Sequence, residues 1–368
     1  MIKIAIIGSH GYPFVYGGYE TFVKELSERL VKNEIEVTIY CRRNYFDERP
    51  TEINGIHLIY IPTIKRKTLA QFVHSFLSII HATFKNFNIL LVVNPANGPF
   101  GIIPRIFGKK TVINVDGLEW LRPKWKGLGA KYFYFSAKLC TKFYNVIVND
   151  SKEMQRVYKE LFKVDSILIE YGANIRYSQN DVSIKKFGLD VNDYYLLVGR
   201  FIPDNNWHII INEFIKTRSS KKLVVVGNVP YKDQYVSDLK NIKDPRLVFT
   251  GYVTDQNDLA ELYNNCYAYI HGHEFGGTNP ALLTALANGA APLALETPFN
   301  KEMLEDGKYG IFFSKKEGNL SSIINEIEND PSLINRIKLI TRNRISEYYN
   351  WDRITTEYIS LFNNILKN

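Results

Sequence analysis

Long apolar runs, cysteine and cofactor fingerprints are what this 368-residue chain has least of. No apolar stretch reaches the roughly 18 residues needed to cross a bilayer, so no membrane-spanning helix is expected. The 3 cysteines (Cys41, Cys140, Cys266) are scattered. They have neither metal spacing nor an even disulfide pattern, which points to a reducing, cytoplasmic setting. The first residues, MIKIAIIGSHGY, open as a strand and lack the small-residue cleavage site of a signal peptide. There is no G-x-G-x-x-G and no P-loop lysine, which argues against a nicotinamide-dependent oxidoreductase. No D-x-D stands out, so no metal is expected.

What is present is an ordinary globular composition, 45% hydrophobic and 23% charged, on a chain long enough for two domains. Strand and helix alternate throughout, which calls for α/β architecture with parallel sheets. Strands are expected at Ile2–Gly8, Glu36–Cys41, Ile56–Ile61, Ile89–Val93, Thr111–Val115, Val146–Val148 and Ile167–Glu170. After a polar, linker-like stretch from Gly172 to Asn192, a second series begins. It comprises Tyr194–Val198, Lys222–Val226, Arg246–Thr250, Tyr267–Ile270, Ala290–Ala294 and Gly310–Phe313. A helical tail follows from Pro331. The expected division is 1–172, a Rossmann-like domain; 173–350, a second Rossmann-like domain; and 351–368, a helix returning to the first domain. The two doubly wound domains are expected to face a central cleft, with ligands at the carboxyl ends of the strands.

The net charge of +8 is uneven: residues 61–149 carry 13 Lys and Arg against 2 Asp and Glu. Two basic, aromatic stretches lie there. One includes Lys65, Arg66, Lys67, Phe72, Phe76 and Phe84. The other includes Lys124, Trp125, Lys126, Lys131, Tyr132, Phe133, Phe135, Lys138 and Lys142. Helices of this kind can lie on anionic lipid. No nucleic-acid recognition motif accompanies the charge, so a membrane surface is favoured over nucleic acid. A solvated face over a core-facing aromatic stripe is the plain alternative.

The loops after the strands carry the chemistry. In HGHEFGGTNPALLTALANG, residues 271–289, a strand runs into Gly276 and Gly277. Thr278 and Asn279 follow, and then Pro280 opens a helix. Asn279 suits an N-cap and Pro280 the first helical position, so backbone donors there can receive an anion. After the first strand, SHGYPFVYGGYE places Gly17, Gly18, Tyr19 and Glu20 at a helix start. Arg200, just past the first strand of the second series, can grip a phosphate with two parallel bonds. In FTGYV, Tyr252 and Val253 follow a glycine turn where a nucleotide base can rest.

In order along the chain, GGYE, GLEWLRPKW, YGAN, GRFIPDNN, GYV, HGHEFGGTNPALL and YNWDRI resemble the retaining GT-B glycosyltransferases of the E-x7-E family. They are most similar to the bacterial branch of capsule and surface-polysaccharide rhamnosyltransferases. The resemblance implies that Gly17, Gly18, Arg200, Gly276, Gly277, Thr278 and Asn279 hold the donor diphosphate and sugar. Tyr252, Val253 and Thr284 would flank the nucleoside. Asp116 stands where many relatives have a histidine near the anomeric centre, and Tyr19, Glu20 and Glu119 would lie on the acceptor side. The paired glutamates of the family fall here on Gly276 and Thr284, which leaves Glu274, two residues early, as a displaced catalytic candidate. A threonine offers a single hydroxyl, which matches the single 3′ hydroxyl of a thymidine nucleotide.

The implied reaction is transfer of a 6-deoxyhexose, L-rhamnose, from a dTDP-sugar to a lipid-linked oligosaccharide, with retention and without metal. It would take place at the inner face of the cell membrane. A UDP- or GDP-sugar transferase, an epimerase, and a non-catalytic sugar-nucleotide binder are the competing readings.

Overall fold

In this computed structural model the structure describes residues 1–13, 17–64, 67–123, 125–228 and 234–367. Lys65, Arg66 and Lys124 of the basic stretches, and residues 14–16 of the first loop, lie outside them. The chain forms two compact units: Met1–Tyr171 together with Trp351–Asn368, and Gly172–Asn350.

The first unit is built on eight strands: β1 (Lys3–Ile7), β2 (Glu36–Arg42), β3 (Glu52–Ile53), β4 (Ile56–Ile61), β5 (Ile89–Val93), β6 (Lys110–Val115), β7 (Val146–Asn149) and β8 (Ile167–Leu168). Their order in the sheet is β3-β4-β2-β1-β5-β6-β7-β8. All neighbours are parallel except β3 and β4. Continuous apolar runs such as ILLVV in β5 are buried on both faces, as helix-covered parallel strands must be. The short strand β3 has no counterpart in the expected series. It is made by Asn54 and Gly55, both at positive φ (54° and 76°), which close a two-residue hairpin onto β4.

In this sheet β1 pairs with β2 on one side and β5 on the other. The crossovers therefore diverge at β1, and the loops beyond β1 and β5 border the crevice where open α/β sheets bind ligands.

The helix Trp351–Lys367 belongs to this unit. Buried Asn114, in β6, donates to the Tyr358 hydroxyl at 3.0 Å and accepts from the Tyr171 hydroxyl at 2.8 Å. Arg353 donates to the fully buried Glu170 carboxylate at 2.7 Å. Phe22 stacks on Tyr171 and touches the ring of Trp351.

The second unit has six parallel strands: β9 (Tyr194–Val198), β10 (Lys222–Val226), β11 (Leu247–Gly251), β12 (Ala268–His271), β13 (Pro292–Leu295) and β14 (Ile311–Phe313). Their order is β11-β10-β9-β12-β13-β14. Here the crossovers diverge between β9 and β12. Two glycines make the loops at that point possible. A Cβ on Gly227 would lie 1.8 Å from the Gly199 carbonyl oxygen, and one on Gly272 would lie 2.2 Å from that of Asn205. Only glycine lets the three backbones touch.

The polar stretch 172–192 carries a short helix, Val182–Lys185, and is bonded to the second unit. Glu261 accepts from the Ser178 hydroxyl and from the Gln179 N–H, and the Arg176 N–H donates to Ala287.

Candidate active site

In the second unit the loops after β9 and β12 are knitted together. Asn206 donates its amide to the Gly272 carbonyl at 2.9 Å, and Asn205 bonds the His273 ring at 2.9 Å. The Glu274 N–H donates to the Asp204 carbonyl at 3.2 Å. Asn279 caps the helix Pro280–Ala287, its side-chain oxygen accepting from Ala281 N (2.9 Å) and Leu282 N (3.4 Å). Its own N–H donates to the Met303 sulfur. The anion donors left at this turn are therefore those of the glycine pair. Gly276 and Gly277 are buried, and their N–H groups have no partner among the described residues. Gly276 sits at φ +143°, a conformation that side-chain-bearing residues avoid. Thr278 is buried beside it.

Two cations lie on the loop cluster that carries this turn. Arg200 is exposed and engages no carboxylate among the described residues. Lys315, just past β14, pairs with Glu274, whose Oε2 also accepts from Asn206 at 3.3 Å. The sequence points to Arg200 but not to Lys315, because no motif links Lys315 to Glu274, 41 residues earlier; strand order alone brings them together. Buried His271 bonds the Tyr269 hydroxyl at 2.9 Å, and burial pushes its imidazole down to about 3, so it is neutral. Thr284 donates its hydroxyl to the Pro280 carbonyl at 2.8 Å, which leaves it only lone pairs to offer. Tyr252 is 59% exposed beyond β11, while Val253 is buried.

In the first unit Gly17 caps the helix Gly18–Lys32, and Glu20 in its first turn is buried. Burial pushes the Glu20 carboxyl up, but the bond and charge of His10 outweigh it and hold the group below its usual value. Tyr19 donates its hydroxyl to Asp116, beyond β6. Burial raises the Asp116 carboxyl to about 6; the Tyr19 bond and the Arg122 charge oppose that rise, and Glu119 adds to it. Glu119 is tied to Arg122 at 3.0 Å and to the Trp125 indole at 2.9 Å. The structure thus groups Tyr19, Asp116 and Glu119 in the first unit. It groups Arg200, Glu274, Gly276, Gly277, Thr278 and Asn279 in the second.

Known proteins with this architecture bear directly on the class. The chain is similar to a sucrose-phosphate synthase from Thermosynechococcus elongatus (17% identity, TM-score 0.84, 100% of both chains covered). It is also similar to HepE from Anabaena, solved in complex with UDP-glucose (16% identity, TM-score 0.78, 99% of this chain and 100% of that one). Two parallel-sheet, Rossmann-like units define the GT-B architecture, and the protein is a nucleotide-sugar glycosyltransferase.

More particularly, residues 180–348 match the family of glycosyl transferases group 1, and residues 1–174 match a domain of unknown function, DUF1972. Over 303 residues the chain is 23% identical to an uncharacterized 42.6 kDa protein in the cps region of Klebsiella pneumoniae, covering 78% of this chain and 72% of that one.

Proposed function

We propose that this enzyme transfers L-rhamnose from a dTDP-sugar to a lipid-linked oligosaccharide during surface-polysaccharide synthesis, with retention of anomeric configuration. The observation that carries the reading is the turn at Gly276–Gly277. The N–H groups of two buried glycines, without partners among the described residues, stand there at the crossover divergence of the second sheet, with Arg200 and Lys315 on the same loop cluster. This arrangement suits a diphosphate leaving group, whose charge grows as the glycosidic bond breaks. Two side-chain cations do the work a divalent ion would otherwise do, so no metal is required.

Thr284 supports the thymidine nucleotide: one hydroxyl oxygen accepts from one 3′ hydroxyl, whereas two ribose hydroxyls call for a carboxylate. The cps-region relative supports a capsular setting. The second unit holds the donor, and Tyr19, Glu20, Asp116 and Glu119 of the first hold the acceptor.

A donor screen by thermal shift tests this. At about 100 times Kd, dTDP-L-rhamnose stabilises by about 2.7 kcal/mol, a rise of several degrees that excess EDTA leaves unchanged. A comparable rise with UDP-glucose and none with dTDP-L-rhamnose would reassign the donor.

Peripheral attachment to the inner face of the cell membrane completes the proposal. Among the described residues no helix is long and apolar enough to cross a membrane. The first unit nevertheless exposes Phe84, Phe107, Leu128 and Phe135 with Arg105, Lys131, Lys138 and Lys142. Co-sedimentation with phosphatidylglycerol vesicles should be strong at low salt and fall as salt screens the charges. Phe84→Glu with Phe135→Glu should weaken it by at least about tenfold. Equal binding to neutral vesicles would refute the electrostatic part.

A further inference from the structure

One buried cation in the first unit has no part in the chemistry above. Arg42, the last residue of β2, is 3% exposed, and neither its Nε nor its Nη2 has a partner among the described residues. The ring of Tyr45 lies 5.8 Å from the guanidinium carbon, and the Tyr45 hydroxyl lies within bonding reach of the guanidinium. Among the described residues no carboxylate pairs with it: Glu20, whose field reaches it, is bonded by the ring and the backbone N–H of His10. A guanidinium cannot shed its proton to escape burial, and donors left unmet inside a protein are costly.

Arg42 is not alone. The Arg42 N–H donates to the His10 carbonyl, which sets the end of β2 against the loop after β1. The Ser9 hydroxyl in that loop and Nδ1 of His74 are likewise buried and lack a close, well-aligned partner among the described residues, although the Cys41 backbone lies within bonding reach of the His74 ring. His74 lies on the helix Lys67–Thr83, and that helix is fastened to the same loop by the bond from Gln71 to the Gly8 carbonyl at 2.8 Å. The Arg42 charge reaches the His74 imidazole. His10 and Tyr45, which flank the guanidinium, both reach solvent. The cluster stands at the carboxyl ends of β1 and β2, beside the crossover divergence of the first sheet, where such sheets receive ligands.

We propose that Arg42, with Ser9 and His74 beside it, forms an oxyanion subsite of the first unit that grips a carboxylate or phosphate group of the acceptor. The two free N–H groups of one planar guanidinium match two oxygens of either group, which a lysine ammonium cannot do. That the anion belongs to the acceptor rests on the assignment of the first unit to acceptor binding. That the cluster binds an oxyanion does not.

The test is thermal-shift titration of the full chain with three probes: glucuronate, inorganic phosphate and dTDP. Wild type, Arg42→Gln, Arg42→Lys and Arg200→Ala are compared. Glucuronate or phosphate should raise Tm in wild type and in Arg200→Ala. Arg42→Gln should lose that response, and Arg42→Lys, which keeps the charge and loses the fork, should bind about tenfold more weakly. A response to dTDP should survive in Arg42→Gln and vanish in Arg200→Ala. Without anion, Arg42→Gln should melt no lower than wild type, since it removes a buried charge that no carboxylate pairs with among the described residues; if it fails to fold, Arg42→Lys decides.

A response to glucuronate alone identifies a uronic acid in the acceptor. A response to phosphate alone identifies the phosphate of a lipid-linked carrier. Equal responses in wild type and Arg42→Gln, or none in folded wild type, overturn the proposal. If dTDP shifts no variant while the anions still separate wild type from Arg42→Gln, the donor reading fails and this one stands.

Discussion

Asp116→Asn should make the protein more stable at pH 7.5 and remove most of its transferase activity. Burial raises the Asp116 carboxyl from its ordinary 3.8 to about 6. A carboxyl whose pKa is higher in the fold than in the unfolded chain binds its proton more tightly when folded. Stability is therefore unaffected below pH 4, falls as the pH rises from about 4 to about 6, and stays reduced above that. A carboxyl held that far above its ordinary value corresponds to about 3 kcal/mol. Because Asp116 is partly exposed, about 2 kcal/mol is the expected gain on removing the charge. Asparagine keeps an oxygen to accept the Tyr19 hydroxyl, so the local geometry persists.

Activity should move the other way. If ionised Asp116 receives the proton of the acceptor hydroxyl, losing it costs about 10² to 10⁴ in rate. In the wild type, kcat/KM should then fall below about pH 6. Urea melts at pH 4 and pH 7.5, with initial rates for both proteins, check each part. A variant less stable at pH 7.5, or one with full activity, would contradict this assignment.

Arg200→Ala should lower kcat/KM by about 10² to 10³ and leave Tm unchanged. The two halves have one cause. The guanidinium is exposed and pairs with no carboxylate among the described residues, so the fold does not depend on it. On the proposed reading, its positive charge becomes useful when the leaving diphosphate gains charge. Lys315→Met should cost less, about tenfold, because Lys315 already shares its charge with Glu274. A drop in Tm with activity intact would turn Arg200 into a structural residue.

Much of the fold could be read from the sequence, because parallel strands buried on both faces appear as uninterrupted apolar runs. β5, β9, β10 and β4 occupy the residues their runs indicate. β3 was legible in principle: Asn-Gly is the strongest short hairpin signal, and Asn54–Gly55 adopts it, but two-residue strands have no periodicity to reveal them. The Asn279–Pro280 cap could be read because capping is local.

What stayed hidden depends on strand order and on how the loops fold. Lys315 meets Glu274, Tyr19 meets Asp116, and His10 meets Glu20 across spans that no spacing rule covers. The Met303 sulfur takes a donor that the sequence assigned to the ligand. Arg42 looked like one more basic residue, since only the packed structure shows that nothing pairs with its Nε and Nη2 among the described residues.

Hydrogen–deuterium exchange with and without dTDP-L-rhamnose asks most directly where the donor binds. Slower exchange confined to peptides spanning 199–206 and 272–284 is expected, since those loops hold Arg200 and the glycine N–H groups that have no partner among the described residues. Protection limited to the loops after β1 and β6, or no protection at saturating nucleotide sugar, would contradict it.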